Sequence, residues 1–243
     1  MIDLHCHLLP GLDDGAQDLA DSVAMAMQGE ADGIELVCAT PHIRHDHDVR
    51  IGELPARVRA LNAELGERGL AIRARTGGEV AETVLERLGD DELRAVSLGG
   101  GERWLLLEPA PGPLGESLVS EVERLDARGF RCVVAHPERH PGELFLQRLM
   151  AMCERGALIQ VTADALVGGE AADGLLDLAR RGLVHLLGSD AHSSRFGRPL
   201  RLSAGLARLE TVERVRDHIE WIARVAPAAI LRGADVQAPY PPG

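Results

Sequence analysis

The sequence predicts an α/β fold in which seven parallel strands alternate with helices and close into a barrel. Short apolar runs alternate with longer amphipathic stretches of helical period along the 243 residues. No glycine-rich dinucleotide fingerprint follows the first apolar run, which disfavours an open doubly wound sheet. A glycine ends most of the helical stretches, as expected at a helix C-terminus: Gly33, Gly69, Gly129, Gly156 and Gly182.

The predicted strands are short apolar runs bounded by turn residues. They span residues 2–5, 34–39, 70–75, 104–108, 132–136, 158–162 and 185–189. The amphipathic stretches between them are predicted helices, at residues 22–31, 53–68, 116–128, 143–155 and 171–181. This repeated order of strand, helix, glycine and strand is typical of βα units in a parallel sheet.

A single domain is predicted, because a chain of this length suits one α/β barrel and no linker-like stretch divides it. Residues 1–236 are expected to form the barrel. Residues 237–243 contain three prolines and are expected to be a disordered tail.

Charge and composition exclude several classes of function. The net charge of −12 and the aromatic content of 2% argue against a nucleic-acid partner, because phosphate backbones are repelled and few rings can stack on bases. All 26 basic residues are arginines. Schiff-base chemistry and the P-loop lysine are therefore excluded.

The cysteines and the N-terminus indicate a cytoplasmic protein. Cys6, Cys38, Cys132 and Cys153 form no CxxC pair, and the first three lie in predicted strands, so a disulfide framework is not expected. The N-terminus lacks a basic signal region, and no apolar run approaches a membrane span. We expect no membrane insertion.

Side chains that can bind metal ions follow six of the seven predicted strands. The C-terminal ends of barrel strands meet on one face, so these side chains are expected to be neighbours. One such carboxylate could simply face solvent. Exposure to solvent is a poor explanation for metal-binding side chains at six strand ends. The candidates, in chain order, are His5, His7, His42, Glu79, Glu108, His136, Asp190 and His192, with Asp13 and Asp14 in the first loop.

Imidazoles and carboxylates without thiolates favour manganese, iron or zinc in a catalytic site. Several carboxylates permit more than one ion, and a site with several ions favours hydrolysis of a phosphate ester. Arg139 and Arg198 could clamp phosphate oxygens. The alternative, that these arginines face solvent, stays open at this point.

Five short motifs follow one another along the chain: His5-Cys6-His7, Thr40-Pro41-His42, Gly78-Glu79, His136-Pro137-Glu138-Arg139 and Ser189-Asp190-Ala191-His192. Together and in this order, they resemble the polymerase and histidinol phosphatase (PHP) superfamily. They are closest to its bacterial tyrosine phosphatases, which act in capsular and exopolysaccharide control. The resemblance covers nearly the whole chain.

The resemblance implies a distorted seven-stranded (β/α) barrel with up to three metal ions, usually manganese, with iron or zinc as alternatives. The first ion would be held by His5, His7, Glu79 and Asp190. The second would be held by Glu79, Glu108 and His136. The third would be held by Asp14, His42 and His192, with Asp13 as the adjacent candidate. Arg139 and either Arg195 or Arg198 are implied to bind the phosphoryl group.

By this resemblance the chain is expected to be a protein-tyrosine phosphatase that uses a metal-activated hydroxide. Its expected partner is a phosphotyrosine protein, in particular a bacterial tyrosine kinase of polysaccharide export. A phosphatase of a small phosphomonoester such as histidinol phosphate is the alternative, and a non-catalytic metal-binding regulator is an alternative of another class. The roles of His45, His47 and His140 stay open.

Overall fold

Parallel strands form two sheets in the computed structural model, which describes residues 1–243, except the side chain of residue 170. The smaller sheet has the strand order β1-β2-β4 and the larger one β3-β5-β6-β7-β8-β9. All neighbouring strands in these sheets are parallel. The strands are β1 (Ile2–Cys6), β2 (Leu36–Ala39), β3 (His42–Ile43), β4 (Arg73–Thr76), β5 (Glu79–Ala81), β6 (Trp104–Glu108), β7 (Arg131–Ala135), β8 (Leu158–Thr162) and β9 (Leu186–Gly188).

Two short strands that were not predicted, β3 and β5, each follow a predicted strand after a break of two residues. β2 and β3 are separated by Thr40-Pro41, where proline cannot donate a ladder hydrogen bond. β4 and β5 are separated by Gly77-Gly78. A Cβ atom on Gly77 would lie 2.6 Å from the sulfur of Cys38, so this close approach requires glycine. Counted with these breaks, the seven predicted strands are all present.

The barrel is closed by a single bridge rather than by a continuous ladder. Cys6 of β1 pairs with Ala191, just after β9. His7 N donates to Ala191 O at 2.9 Å, and Asp190 N donates to His5 O at 2.9 Å. This irregular closure is the distortion expected of the barrel, and it places Asp190 directly beside the histidines of β1.

A β-bulge in β1 changes which side chains face the barrel interior. The register with β2 runs from Asp3 opposite Val37 to Cys6 opposite Ala39, so β1 carries one extra residue. The buried Asp3 carboxylate accepts hydrogen bonds from the backbone N of His5 at 3.1 Å and of Ser189 at 3.2 Å. The bulge turns His5 inward and Cys6 outward.

Helices surround the strands and differ little from the predicted ones. The five predicted helices are confirmed with ends that move by at most three residues, whereas the short helices α3 and α7 to α9 were not predicted. No helix that the structure describes combines the length and the apolar character needed to cross a bilayer. The helices are α1 (Leu19–Ala31), α2 (Leu54–Glu67), α3 (Asp90–Ala95), α4 (Glu116–Ala127), α5 (Phe145–Glu154), α6 (Glu170–Arg180), α7 (Ser203–Leu209), α8 (Glu213–Arg216) and α9 (Ala226–Ile230).

Two apolar clusters lie on opposite faces of the strands. Along β6, Trp104 and Leu106 belong to the inner cluster, whereas Leu105 and Leu107 belong to the outer cluster beneath the helices. A strand buried on both faces reads as a continuous apolar run, which is why β6 was predicted with the observed bounds. The run ends at Glu108, at the C-terminal rim of the barrel.

The expectation that residues 237–243 are disordered is corrected at Tyr240. Its side chain is buried and its hydroxyl donates to Val184 O at 2.6 Å. The ring stacks on His185, with the ring centres 6.0 Å apart. Burial of this one aromatic side chain offsets the conformational entropy that is lost when the tail becomes ordered.

Candidate metal centre

Four buried side chains converge at the C-terminal rim of the barrel and are called here the inner group: His5, His7, Glu79 and Asp190. The Nε2 atoms of the two histidines are 3.4 Å apart. Glu79 Oε1 lies 3.4 Å from His5 Nε2, and Glu79 Oε2 lies 3.4 Å from His7 Nε2. Asp190 Oδ1 lies 3.4 Å from His5 Nε2 and 3.5 Å from His7 Nε2. All four are at most 1% exposed.

Two further histidines extend the cluster from Glu79. His136 Nε2 lies 2.8 Å from Glu79 Oε1, and His42 Nδ1 lies 2.9 Å from Glu79 Oε2. Glu108 Oε2 lies 3.6 Å from His42 Nδ1. Glu79 therefore contacts imidazoles through both of its oxygens, as a carboxylate that bridges two ions would do.

A second set, the outer group, lies on the solvent side and consists of His7, Asp14, His42 and His192. Asp14 Oδ1 lies 3.4 Å from His42 Nε2 and 3.5 Å from His192 Nε2. Ligand atoms of these four side chains lie within 4.8 Å of one another. The hydrogen bond with His192 lowers the pKa of Asp14 well below its usual value. Asp14 is therefore ionised at neutral pH.

The backbone at two strand ends is unusual for residues other than glycine. His136 follows β7 with a φ of +30°, and Asp190 follows β9 with a φ of +50°. A left-handed conformation costs about 1 kcal/mol or more in such residues, so it persists only where the surroundings impose it. Both residues direct their side chains into the cluster. The strain is therefore concentrated where the ligand atoms meet.

Outer hydrogen bonds hold the outward nitrogen of two imidazoles. The Nδ1 atoms of His5 and His7 each donate to a fixed partner, Gln160 Oε1 at 2.9 Å and Asp13 Oδ2 at 2.8 Å. His192 Nδ1 lies 2.9 Å from the backbone carbonyl of Asp190 and 3.2 Å from Arg198 Nη2. A neutral imidazole protonated at Nδ1 presents a lone pair at Nε2.

Lone pairs and carboxylates that face one another in a buried space need a cation. Glu79 Oε2 and His42 Nδ1 lie 2.9 Å apart but are not oriented as a hydrogen bond, and these two atoms and His136 Nδ1 are buried without a hydrogen-bond partner among the atoms that the structure describes. Buried polar atoms without partners are costly, and buried carboxylates more so. The donor set of imidazoles and carboxylates fits divalent cations such as manganese, iron or zinc.

Asp13 and Asp14, which the sequence could not distinguish, occupy different positions. Asp13 accepts from His7 Nδ1, from His42 N at 2.9 Å and from Gly15 N at 3.0 Å. Burial alone would raise its pKa, but the contact with His7 and the two backbone hydrogen bonds together outweigh burial, and the pKa falls to about 2. Asp13 therefore holds a ligand in place, whereas Asp14 points into the outer group.

Gln160 was missed in the sequence, although a polar residue in the middle of an apolar strand is a detectable signal. It is fully buried in β8, and its Nε2 donates to Val161 O at 2.9 Å, which turns Oε1 toward His5. A Cβ atom on Gly188 would lie 2.4 Å from Gln160 Nε2. The glycine of β9 thus makes room for the side chain that orients His5.

Two of the three candidate arginines reach the cluster. Arg139 contacts the carboxylate of Asp190 and donates to Thr162 Oγ1 at 3.1 Å. Arg198 Nη2 lies 2.9 Å from Asp190 Oδ2. Arg195 instead pairs with the exposed Asp18 at 3.2 Å, outside the cluster. Of the candidate phosphate-binding arginines, Arg195 is therefore the one whose side chain does not reach the cluster.

The additional histidines lie around the cluster. The ring of His47 stacks on His42 with centres 5.4 Å apart, and His140 stacks on His136 at 6.3 Å. His45 is exposed on the loop after β3. Arg44, on the same loop, was missed: its Nη1 donates to Glu108 Oε1 at 3.1 Å.

Comparison with known proteins agrees with this geometry. A family model described as capsular polysaccharide synthesis, CpsB/CapC, matches residues 1–232. The chain belongs to the CpsB/CapC family. The tyrosine-protein phosphatase YwqE of Bacillus subtilis is 32% identical over 212 residues, which cover 79% of this chain and 78% of that relative. The putative tyrosine-protein phosphatase CapC of Staphylococcus aureus is 26% identical over 200 residues, which cover 79% and 77%.

The CpsB/CapC assignment extends to the fold. A crystal structure from work on YwqE of Bacillus subtilis and CpsB of Streptococcus pneumoniae superposes with a TM-score of 0.85 at 26% identity, and covers 100% of this chain and 99% of that chain. Those proteins are described as metal-dependent tyrosine phosphatases. An organophosphorus hydrolase of Deinococcus radiodurans, at a TM-score of 0.55 and 15% identity, shares the fold alone. The predicted family and the α/β barrel are confirmed.

Proposed function

We propose that this CpsB/CapC protein is a metal-dependent protein-tyrosine phosphatase that hydrolyses phosphotyrosyl monoesters. The observation that carries the proposal is the buried cluster of imidazole and carboxylate ligands with Arg139 and Arg198 at its mouth. The names of the relatives support the same activity.

Up to three manganese ions fit the available ligands, with iron or zinc as alternatives. When bound, such ions lower the pKa of water toward about 7 and neutralise phosphoryl oxygens, which supplies a hydroxide nucleophile at neutral pH. The inner group would hold the first ion, and Glu79 would bridge to a second that Glu108 and His136 complete. The third would be held by Asp14, His42 and His192.

The residues around the ligands hold them in place before substrate arrives. Asp13 and Gln160 fix the rings of His7 and His5, which keeps the inward nitrogen of each imidazole available. Arg139 and Arg198 carry further N–H groups that can bind the equatorial oxygens of a phosphoryl group. The leaving phenolate has a parent pKa of about 10, so it departs with less help from a general acid than an alkoxide needs.

The substrate under this proposal is a phosphotyrosine protein, in particular a bacterial tyrosine kinase of polysaccharide export. The protein acts in the cytoplasm, where such a kinase presents its phosphorylated segment. Residues 1–236 supply the catalytic domain. Nucleic acid is disfavoured as a substrate by the net charge of −12.

A metal-reconstitution series tests this function. Metal-stripped protein is loaded separately with manganese, iron and zinc, and then assayed with a phosphotyrosyl peptide, histidinol phosphate and single-stranded DNA. We expect turnover of the peptide well above that of the other two substrates. Faster turnover of histidinol phosphate would favour the small-molecule phosphatase, and bound metal without any turnover would favour the regulator.

A further inference from the structure

A cavity of about 750 Å³ opens beside the outer group. Asp14 belongs to both, so the cavity adjoins the outer group directly. Leu12, His47 and Phe196 give the cavity apolar and aromatic walls, and Asp48 lies on its lining as well. None of these four is assigned to the metal centre.

Phe196 is an unusual aromatic residue in this chain. The sequence has three Phe, two Trp and one Tyr, and Phe196 is 53% exposed. Trp104, Phe130 and Tyr240 are at most 4% exposed. An exposed ring forgoes the favourable free energy of burying its apolar surface. A single exposed apolar side chain is ordinary; its place on the wall of this cavity is what calls for an explanation.

The loop that presents Phe196, residues 193–198, is held at both ends. Ser194 donates to the buried carboxylate of Asp21 from its backbone N at 2.9 Å and from its hydroxyl at 2.6 Å. At the other end, Arg198 Nε donates to the backbone carbonyl of Asp190 at 2.8 Å. The backbone on both sides of Phe196 is therefore anchored, and one of the two anchors is Asp190 of the inner group.

We propose that Phe196 forms an aryl subsite, in which its ring packs against the phenyl ring of the phosphotyrosyl substrate. Leu12 and His47 line the remainder of this subsite. The inference rests on the proposed function, and it adds the residue that makes the site prefer aryl over alkyl phosphates. An aromatic pair adds to affinity beyond the contribution of the area that it buries. An alkyl phosphate has no ring to place there.

Binding of two phosphonates isolates the ring from the chemistry of the leaving group. Phenylphosphonate and methylphosphonate share the headgroup, and only the former carries the ring. Calorimetry on metal-loaded Phe196→Ala should show phenylphosphonate binding weakened about 10-fold, which corresponds to about 1.4 kcal/mol, with methylphosphonate binding unchanged. Phe196→Trp should retain tight binding of phenylphosphonate. Val225→Ala, which changes a side chain 52% exposed and outside the lining of the cavity, is the matched control.

The outcomes separate this inference from the proposed function. Equal weakening of both phosphonates, or no weakening of either, would overturn the aryl subsite even in an enzyme that hydrolyses phosphotyrosyl peptide. Conversely, a wild-type protein that binds phenylphosphonate through Phe196 but does not hydrolyse the peptide would keep the subsite and refute the phosphatase. The ratio of kcat/KM for phosphotyrosyl peptide to that for an alkyl phosphate should also fall in Phe196→Ala.

Discussion

Asp13 Oδ2 accepts a hydrogen bond from His7 Nδ1 at 2.8 Å, and this contact fixes both the tautomer and the orientation of the imidazole. The same oxygen accepts from His42 N, so one carboxylate connects the first loop, β1 and β3. Carboxylate–imidazole pairs of this kind tune metal sites without touching the metal.

We expect Asp13→Asn to weaken metal binding about 10- to 100-fold, the usual effect of losing an outer partner of a ligand. The amide has one acceptor oxygen, so it cannot serve both Gly15 N and His7 Nδ1. Manganese titration of stripped protein measures the effect. Asp18→Asn is the control, because asparagine caps α1 as well as aspartate does. Unchanged affinity in Asp13→Asn would contradict the role given to this carboxylate.

The two arginines of the last loop should differ sharply in their effect on catalysis. We expect Arg198→Ala to lower kcat/KM for a phosphotyrosyl peptide about 100- to 1,000-fold, the range for removal of one donor to developing charge. Arg195→Ala should change it less than about 2-fold, because its pair with Asp18 is exposed. Similar losses in both variants would show that the position of Arg195 outside the cluster is not the one used in catalysis.

Cys6 should be dispensable for turnover. The bulge turns its sulfur into the outer apolar cluster, and burial raises the pKa of the thiol well above its usual value, so no thiolate faces the site. We expect Cys6→Ser to keep most of the activity, with a small loss of stability from the buried hydroxyl. Metal content and turnover are measured on the same sample. A collapse of turnover with full metal content would refute this expectation.

Acid should destabilise the fold through His185. Burial lowers its pKa from 6.5 to about 4 in the folded protein, and Nδ1 accepts from Ile159 N at 2.9 Å. Below pH 6.5 the unfolded chain therefore binds a proton that the folded chain does not. Stability contributed by the neutral ring is complete above pH 6.5 and falls by about 3 kcal/mol as the pH drops to 4.

Urea unfolding of metal-stripped protein between pH 7 and pH 4 measures this loss. His185→Asn keeps an acceptor for Ile159 N but cannot titrate, so its stability should fall less steeply over that range. The metal ligands titrate equally in both proteins and cancel in the comparison. Parallel stability curves for the two proteins would rule out His185 as the source.

Much of the fold could be predicted because apolar periodicity is a local signal. β6 and β8 were predicted with their observed bounds, since both are buried on each face. The breaks at Thr40-Pro41 and Gly77-Gly78 were not, because they arise from contacts between neighbouring strands. α7 to α9 were missed because they are short helices, whose stability comes from packing rather than from their own sequence.

The candidate site was predictable to the extent that its residues stand at strand ends. Asp13 and Asp14 are adjacent in sequence, and only the loop conformation separates their roles. The same holds for Arg195 and Arg198, which lie three residues apart and face different elements. Gln160 and Arg44 act through other side chains, so no metal-ligand pattern identifies them.

The bulge in β1 makes the metal centre depend on the length of one strand rather than only on its composition. Side chains alternate along a strand, so in a chain whose β1 paired regularly with β2 from Asp3 onward, His5 would lie opposite Ala39 and both imidazoles of the first strand would turn toward the helices. Every ligand would still be present in such a chain. Loss of the bulge would thus abolish metal binding while every sequence motif stayed intact.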